Sequence, residues 1–475
     1  MEDVRMSDRF AAAILAAGEG TRFRSQRAKV LHAAGGRTLI EHVVRAAKEL
    51  SPKAIFVIVG HQADAVTAEL QKATFKGLRL VRQKEQKGTG HALLCGRKEL
   101  ERAAPRLLVL YGDTPLLTSD TLCRFLDFHA SSNCVASVLT AEMEDPTGYG
   151  RIVRAPSGAV AAIVEHKSAS PAQLQIREIN TGIYCFQSKE LFAALGRVTP
   201  DPITKEYYLT DVVGLLTQAG HRVAAFRAAD PSEVIGINNR AELARVDSLL
   251  RLRKARELML SGVTIHFPET ARIDPDVTVG PDTDIEPGVS LLGRTRIGKN
   301  CRIGAWSVIT DSELAANVTI RPSCVITESK IAHGASVGPF AHLRPGADIG
   351  PQARIGDFVE VKKSRIGRGS RALHLAYVGD AVIGKNVNVS AGTITVNYDG
   401  VNKHQTIVED NAFVGSGSNL IAPLRVGRNA FVAAGSTITD EVPANALAIA
   451  RSRQTNKPGW VAKRKKKAAT KKRRS

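Results

Sequence analysis

The chain has 475 residues, 43% of them hydrophobic, enough for two or three domains with cores of their own. Its formal charge of +20 is uneven: nine basic side chains lie in residues 463–474, KRKKKAATKKRR, and without them the balance is +11. The six cysteines form no CxxC pair and no zinc spacing, no apolar run approaches a membrane span, and no basic folded face with aromatic platforms is legible, so a disulfide scaffold, a membrane protein and a specific nucleic-acid binder are set aside.

Residues 1–9 read as an extension, with Met6 a possible alternative start. Phe10–Ala17 is short for a signal peptide and follows Glu2, Asp3 and Asp8, so it reads as a buried strand. It stops at Gly18-Glu19-Gly20-Thr21-Arg22, and Lys29 follows. Glycines at a strand end let backbone N–H groups approach a ligand, and the two cations suit a polyphosphate. The spacing is neither a Walker A loop nor GxGxxG, and a bare Gly-x-Gly also fits an ordinary turn. Ala54–Val59, Leu107–Tyr111, Cys134–Thr140 and Ile183–Phe186 read as strands, and Leu39–Leu50, Thr89–Leu100 and Thr118–Phe128 as helices. That alternation predicts an α/β domain with a mostly parallel sheet over residues 10–238.

Residues 239–262 read as a linker helix, with Leu243, Val246, Leu249, Leu250 and Leu258 on one stripe and Gly262 closing it. Beyond it the period changes. Ile273, Val279, Ile285, Leu291, Ile297, Ile303 and Ile309 recur every six residues, and the period returns at Val337, Leu343, Ile349, Ile355 and Val361. A strict hexad predicts a parallel β-helix over residues 263–460. The segment after Ile366 is expected to break the hexad and project as a binding loop. Residues 461–475, dominated by like charges, are expected to be disordered.

The order Leu15-Ala16-Ala17-Gly18-x-Gly-Thr-Arg22, then Lys29-Val-Leu-His, resembles the signature of sugar-phosphate nucleotidyltransferases. With the hexads in view, the chain from about Phe10 to Trp460 resembles the family of bifunctional bacterial enzymes that make UDP-N-acetylglucosamine. The resemblance implies a Rossmann-like nucleotidyltransferase domain and a left-handed β-helix carrying an acetyltransferase. It implies that Leu15, Ala16, Ala17 and Gly18 contact the nucleotide of UTP, that Arg22 and Lys29 are the catalytic cations on its phosphates, and that Gln83, Gly88 and Thr89 recognise uracil. Tyr111 and Gly112 lead into Asp113, which with Asn238 would hold Mg²⁺. Gly150, Glu165 and Asn180 would contact the sugar. The family's Leu-Pro-Lys is Arg27-Ala28-Lys29 here, which frees the backbone before the lysine.

In the second half the resemblance implies that Arg344 and Lys362 hold the phosphate of glucosamine 1-phosphate, with Tyr377 and Asn388 on its sugar. His374 would be the general base. Ala391, Asn397, Tyr398, Ser416, Ala434 and Arg451 would contact acetyl-CoA. A homotrimer in the cytoplasm is implied, with its acetyl site between neighbours. Two other readings stay open at this point: a single-activity nucleotidyltransferase with a structural or regulatory solenoid, and a non-catalytic scaffold that keeps the fold.

Overall fold

The computed structural model describes residues 10–73, 75, 77–202 and 204–472. The expected N-terminal extension and the last three residues of the tail lie outside the described residues. Two compact units meet between Arg253 and Lys254.

The first unit is a twisted sheet between helices. Its strands are β1 (Phe10–Ala16), a small ribbon of β2 (Ala33–Ala34) and β3 (Arg37–Thr38), β4 (Ile55–Val59), β5 (Leu78–Arg82), β6 (Arg106–Tyr111), β7 (Ala136–Glu142), β8 (Arg151–Arg154), β9 (Val160–Val164), β10 (Glu178–Gln187) and β11 (Val223–Arg227). The main sheet runs β11-β7-β10-β6-β1-β4-β5, with β8 and β9 as a hairpin off β10. Only β10 lies antiparallel to its neighbours along that path. Every residue of β1 is buried because alternate side chains enter two different cores. Ala12, Ile14 and Ala16 pack with α1 (Leu39–Glu49), α2 (Ala63–Lys72) and α5 (Ser119–Ser131). Ala11, Ala13 and Leu15 face α3 (Thr89–Cys95), α4 (Arg97–Ala103), α7 (Ser188–Leu195) and α8 (Thr210–Gln218). A short α6 (Pro171–Leu174) precedes β10. The single helix expected over Thr89–Leu100 is two helices. Gly96 ends α3, and a Cβ there would meet Val81 and Leu100 at 3.1 and 3.0 Å.

Helix α9 (Arg240–Leu260) crosses the boundary between the units. Val246, with Leu243, Leu249 and Leu250, packs on Phe23 and Leu39 of the first unit, while Ala255 and Leu258 join the core of the second.

The second unit winds as a three-faced parallel β-helix. Its first face has eleven short strands among the described residues, from Thr264–Ile265 to Leu447–Ala448; the second has ten and the third nine. Each aliphatic residue stacks on its equivalent one coil away, as in Ile285↔Ile303 and Ile303↔Ile320. The irregular stretch after Ile309 keeps the winding by two five-residue steps, Ile309 to Leu314 and Ile326 to Ile331, all four buried. Truncating one of these isoleucines to alanine would cost about 2–5 kcal/mol.

Two expectations are corrected. The hexad is not broken after Ile366: buried Ala372 and Val378 occupy the next two core positions, so the segment stays in the wall. A small residue hid the period. The excursion lies instead at residues 397–405, where Tyr398 bridges to Lys403 and Val401 is exposed. The tail is not unstructured either: α10 (Trp460–Lys472) is helical and exposed over its described side chains. Lysine, arginine and alanine are good helix formers, and extended side chains keep their charges in water.

Candidate functional site

The first cluster of predicted residues sits beyond the carboxyl ends of β1, β5 and β6, where open α/β sheets bind ligands. Gly20 has a left-handed backbone, φ 62°, and a Cβ there would lie 2.7 Å from the Lys29 Cβ. Only glycine lets the loop close over Lys29 in this way. The Lys29 ammonium pairs with the Asp113 carboxylate. Arg22 donates to Asn238 Oδ1 at 2.8 Å. Each expected phosphate cation is thus paired with one expected metal oxygen. Backbone bonds fix the frame: Gly112 N–H donates to Leu15 O (2.9 Å) and Ile237 N–H to Asp113 O (3.1 Å). Thr118 caps α5 by accepting from Thr121 N–H, so Asp113 is not needed as a cap.

Ala28 N–H donates to Gln62 Oε1 at 2.9 Å, and Gln62 Nε2 reaches Gln26 O. A proline at position 28 could not make the first bond. The departure from Leu-Pro-Lys therefore brings its own tether, which sequence reasoning missed.

Gln83 is buried just past β5. Its Nε2 donates to Gly88 O (3.1 Å) and lies 3.0 Å from His91 Nδ1. Gly88 has φ 93°, and a Cβ there would strike Tyr207 O at 2.7 Å. Thr89 Oγ1 accepts from Leu209 N–H and is bonded to Tyr111. Burial, ahead of any charge, pushes the Tyr111 hydroxyl pKa far up. Gly150, Glu165 and Asn180 converge: a Cβ on Gly150 would lie 3.5 Å from Asn180 Cβ and 3.6 Å from Glu165 Oε1. Burial also raises the Glu165 carboxyl, against a hydrogen bond from Thr210 at 3.3 Å.

In the second unit the predicted residues form a row rather than a pocket. His374 stands two residues past buried Ala372 on the first face, on the edge it shares with the second. Ala391, Ser416 and Ala434 stand two past Val389, Val414 and Val432, on successive coils of the same edge. Backbone bonds link the row, from Gly417 N–H to Ala391 O and from Gly435 N–H to Ser416 O, both 2.8 Å. A Cβ on Gly435 would lie 3.8 Å from Arg451 Cδ, which puts Arg451 at the far end. The next position along each coil changes character at the histidine. On one side Trp306, Phe340, Phe358 and Leu375 are large and exposed, with Gly288 before them and Ser323 between Trp306 and Phe340; on the other lie Gly392, Gly417 and Gly435.

Arg344, Lys362, Tyr377 and Asn397 gather on or just past the second face. Arg344 pairs with Glu360 at 2.7 Å, and Asn397 Nδ2 lies 3.5 Å from Tyr377 Oη. Tyr398 starts the excursion and donates to Gly400 O at 2.5 Å. Asn388 is apart, on the first face, accepting from Arg371 at 2.9 Å. Three residues here escaped sequence reasoning: Glu360, Lys403 and Asp357. The Lys362 ammonium lies against Lys403 and holds its pKa below the usual lysine range. Asp357 Oδ1 lies 2.6 Å from His374 Nδ1. The coil length of about 17 residues would have aligned Asp357 with His374.

Comparison with known proteins agrees with both halves. A MobA-like NTP transferase domain matches residues 12–199, a bacterial transferase hexapeptide model residues 276–311, and a succinyl-transferase hexapeptide repeat residues 405–440. The stacked parallel strands and these repeats are those of left-handed β-helices. Relatives named bifunctional protein GlmU align along nearly the whole chain. The Koribacter versatilis protein is 50% identical over 461 residues, 96% of this chain and 97% of its own. The Shouchella clausii protein is 48% identical over 458 residues, 96% and 100%. With both transferase halves in the same order and at this identity, the chain belongs to the bifunctional GlmU family.

Proposed function

We propose that the chain makes UDP-N-acetylglucosamine in two transfers, with the residue roles that follow. The second unit acetylates glucosamine 1-phosphate from acetyl-CoA. The first joins the product to UTP and releases pyrophosphate. One observation carries this assignment. Two chemically different sets of groups stand on two separate folding units: cations paired with oxygen donors on one, and a histidine at the head of a small-residue row on the other.

In uridylyl transfer the sugar phosphate oxygen attacks the α-phosphorus in line, and pyrophosphate leaves. Positioning and charge neutralisation dominate such a step. UTP phosphates take Arg22 and Lys29 from their present partners. That frees Asn238 Oδ1 and the Asp113 carboxylate, two hard oxygen donors that fit Mg²⁺, a metal that keeps few protein ligands beside phosphate oxygens. Mg²⁺ held there would neutralise phosphate charge. Gln83, its amide N–H groups engaged, offers Oε1 to the uracil N–H. Leu15, Ala16, Ala17 and Gly18 line the nucleotide beside Gly88 and Thr89. Gly150, Glu165 and Asn180 hold the sugar hydroxyls, with Tyr111 and Gly112 beneath.

In acetyl transfer the amine of glucosamine 1-phosphate attacks the thioester carbonyl. His374 Nε2 takes the amine proton and returns it to the leaving thiolate. The extended arm of acetyl-CoA lies from His374 along Ala391, Ser416 and Ala434, three coil steps or about 14 Å at roughly 4.8 Å per coil. The absence of side chains at Gly392, Gly417 and Gly435 leaves it room, and Arg451 meets its phosphates. Arg344 and Lys362 take the sugar phosphate, with Lys403 as a third cation. Asn397 and Tyr398 flank the thioester.

Asn388 and Tyr377 lie on two faces that diverge from a convex edge, so one copy cannot close both on one sugar. The exposed ladder of Phe340, Phe358 and Leu375 beside His374 is the kind of apolar stripe a partner covers. A second copy in a homotrimer supplies both needs. The six cysteines are free, which suits the cytoplasm; among the described residues no helix is long and apolar enough to cross a membrane. Mass spectrometry of products from UTP, acetyl-CoA, Mg²⁺ and glucosamine 1-phosphate tests the reaction, and sedimentation tests the assembly. A monomer with full acetyltransferase activity overturns the shared site.

A further inference from the structure

The geometry points to Asp357 as the positioning residue of acetyl transfer: it holds His374 through Nδ1, so that Nε2 carries the lone pair that takes the amine proton. This role presupposes His374 as the base.

The contact is a hydrogen bond of 2.6 Å between Asp357 Oδ1 and His374 Nδ1. A carboxylate can only accept, so the proton of the neutral imidazole sits on Nδ1. The other ring nitrogen is then the base. The same arrangement orients histidines in hydrolytic triads, where loss of the carboxylate leaves the wrong tautomer.

The fold is altered locally to make this contact. Along the first face, neighbouring strands pair over two residues per coil, as in Thr264–Ile265 with Asp284–Ile285, or Asn388–Val389 with Phe413–Val414. Between Arg354–Asp357 and Arg371–His374 the pairing runs on to Asp357↔His374. That continuation brings two backbones together at Gly356, where a Cβ would lie 1.9 Å from Leu373 O. No other residue type fits there without moving the strand.

Other histidine–aspartate pairs in this unit are built differently. His266 uses Nε2 toward Asp284 at 2.8 Å. His404 uses Nε2 toward Asp399, whose other bonds, from Val401 and Asn402 N–H, shape the excursion. The pair at His374 leaves Nε2 free at the head of the small-residue row.

The test compares Asp357→Ala, Asp357→Asn and His374→Ala in the full chain. Asp357→Ala should lower kcat for acetyl transfer about 10- to 100-fold, a fraction of a lost base. KM for both substrates should stay within about twofold, and uridylyl transfer, which reports the fold, should not change. Asp357→Asn keeps the shape, but its amide N–H₂ can donate to Nδ1 and hold the ring proton on Nε2, so it should be at least as impaired in kcat as Asp357→Ala. In a His374→Ala background, Asp357→Ala should add no further loss. Wild-type kcat in Asp357→Ala beside an inactive His374→Ala overturns the positioning role alone. So does a raised KM at unchanged kcat, or an Asn variant with wild-type kcat. An active His374→Ala instead overturns the assignment of the base.

Discussion

The two sites differ in how a fold gathers distant residues. In the first unit, loops at the ends of β1, β5 and β6 fold inward, so residues more than 200 positions apart touch, as Arg22 does Asn238. Lys29, Asp113 and Asn238 are partly buried, and with exposed Arg22 they are already paired with one another. In the second unit the row from His374 to Ala434 spreads along an edge, each coil contributing one residue. The winding sets spacing and direction but does not enclose. A convergent site can be complete in one copy; a linear site suits a long cosubstrate and needs another surface to close it.

The strongest way to break this comparison is to cross the two activities. Asp113→Ala removes the acceptor of Lys29 and an oxygen proposed to hold Mg²⁺, and should lower uridylyl transfer by about 10²–10³-fold while leaving acetyl transfer within about twofold. Chelating Mg²⁺ should do the same. His374→Ala should give the mirror image, a loss of about 10²–10⁴-fold in acetyl transfer alone. Pyrophosphate release and CoA release, measured on the same preparation, read both. If either variant lost both activities while still folded, the sites would not be separate.

A smaller effect sharpens the linear half. Gly417→Phe puts a ring on the edge where acetyl-CoA should lie, in open space and at φ 67°. The fold tolerates this geometry, since Phe340 and Phe358 occupy the equivalent position at φ 54° and 55° and stack 5.4 Å apart. KM for acetyl-CoA should rise about tenfold, roughly 1.4 kcal/mol, with KM for the sugar phosphate little changed. Equal effects on both substrates would mean that the row does not carry the cosubstrate.

The two halves were also unequally legible in sequence. The hexad announced the solenoid, because a core of one aliphatic residue per strand has a rigid period. It faltered where alanine replaced the aliphatic residue, at Ala372, and the projecting loop was therefore sought in the wrong place. The strand ends of the first unit were readable from Gly18–Arg22 and Asp113. Cross-pairings such as Lys29 with Asp113 were not, because they depend on loops whose closure no local pattern encodes. Asp357 was the opposite case, a contact written in the coil length but invisible until the coils were aligned.

The convergent half can be sharpened at its tether. Gln62→Asn keeps a residue at ease with φ 52° but shortens the reach to Ala28 N–H. The loop carrying Lys29 should loosen, raising KM for UTP about threefold, less than the roughly 1 kcal/mol of a typical hydrogen bond. Ala28 has φ −53°, close to proline's fixed value. Adding Ala28→Pro to Gln62→Asn should restore KM by stiffening the loop without the bond. An unchanged KM in Gln62→Asn would show that the loop is held by other contacts.

The smallest effect is expected of the tail. Residues 463–474 carry nine basic side chains, and α10 is exposed wherever its side chains are described. A helix that buries none of its described side chains adds little to a packed core, and its charges are screened beyond about 10 Å at moderate salt. A chain ending at Ala462 should keep both activities within about twofold at 0.15 M salt, since the screened charges act on neither site. It should leave a cation exchanger earlier, its formal charge falling from +20 to +11. Acetyl transfer is the activity to watch, because Arg451 ends its row a few residues before the helix begins. A large loss there, with uridylyl transfer intact, would make the tail part of the linear site.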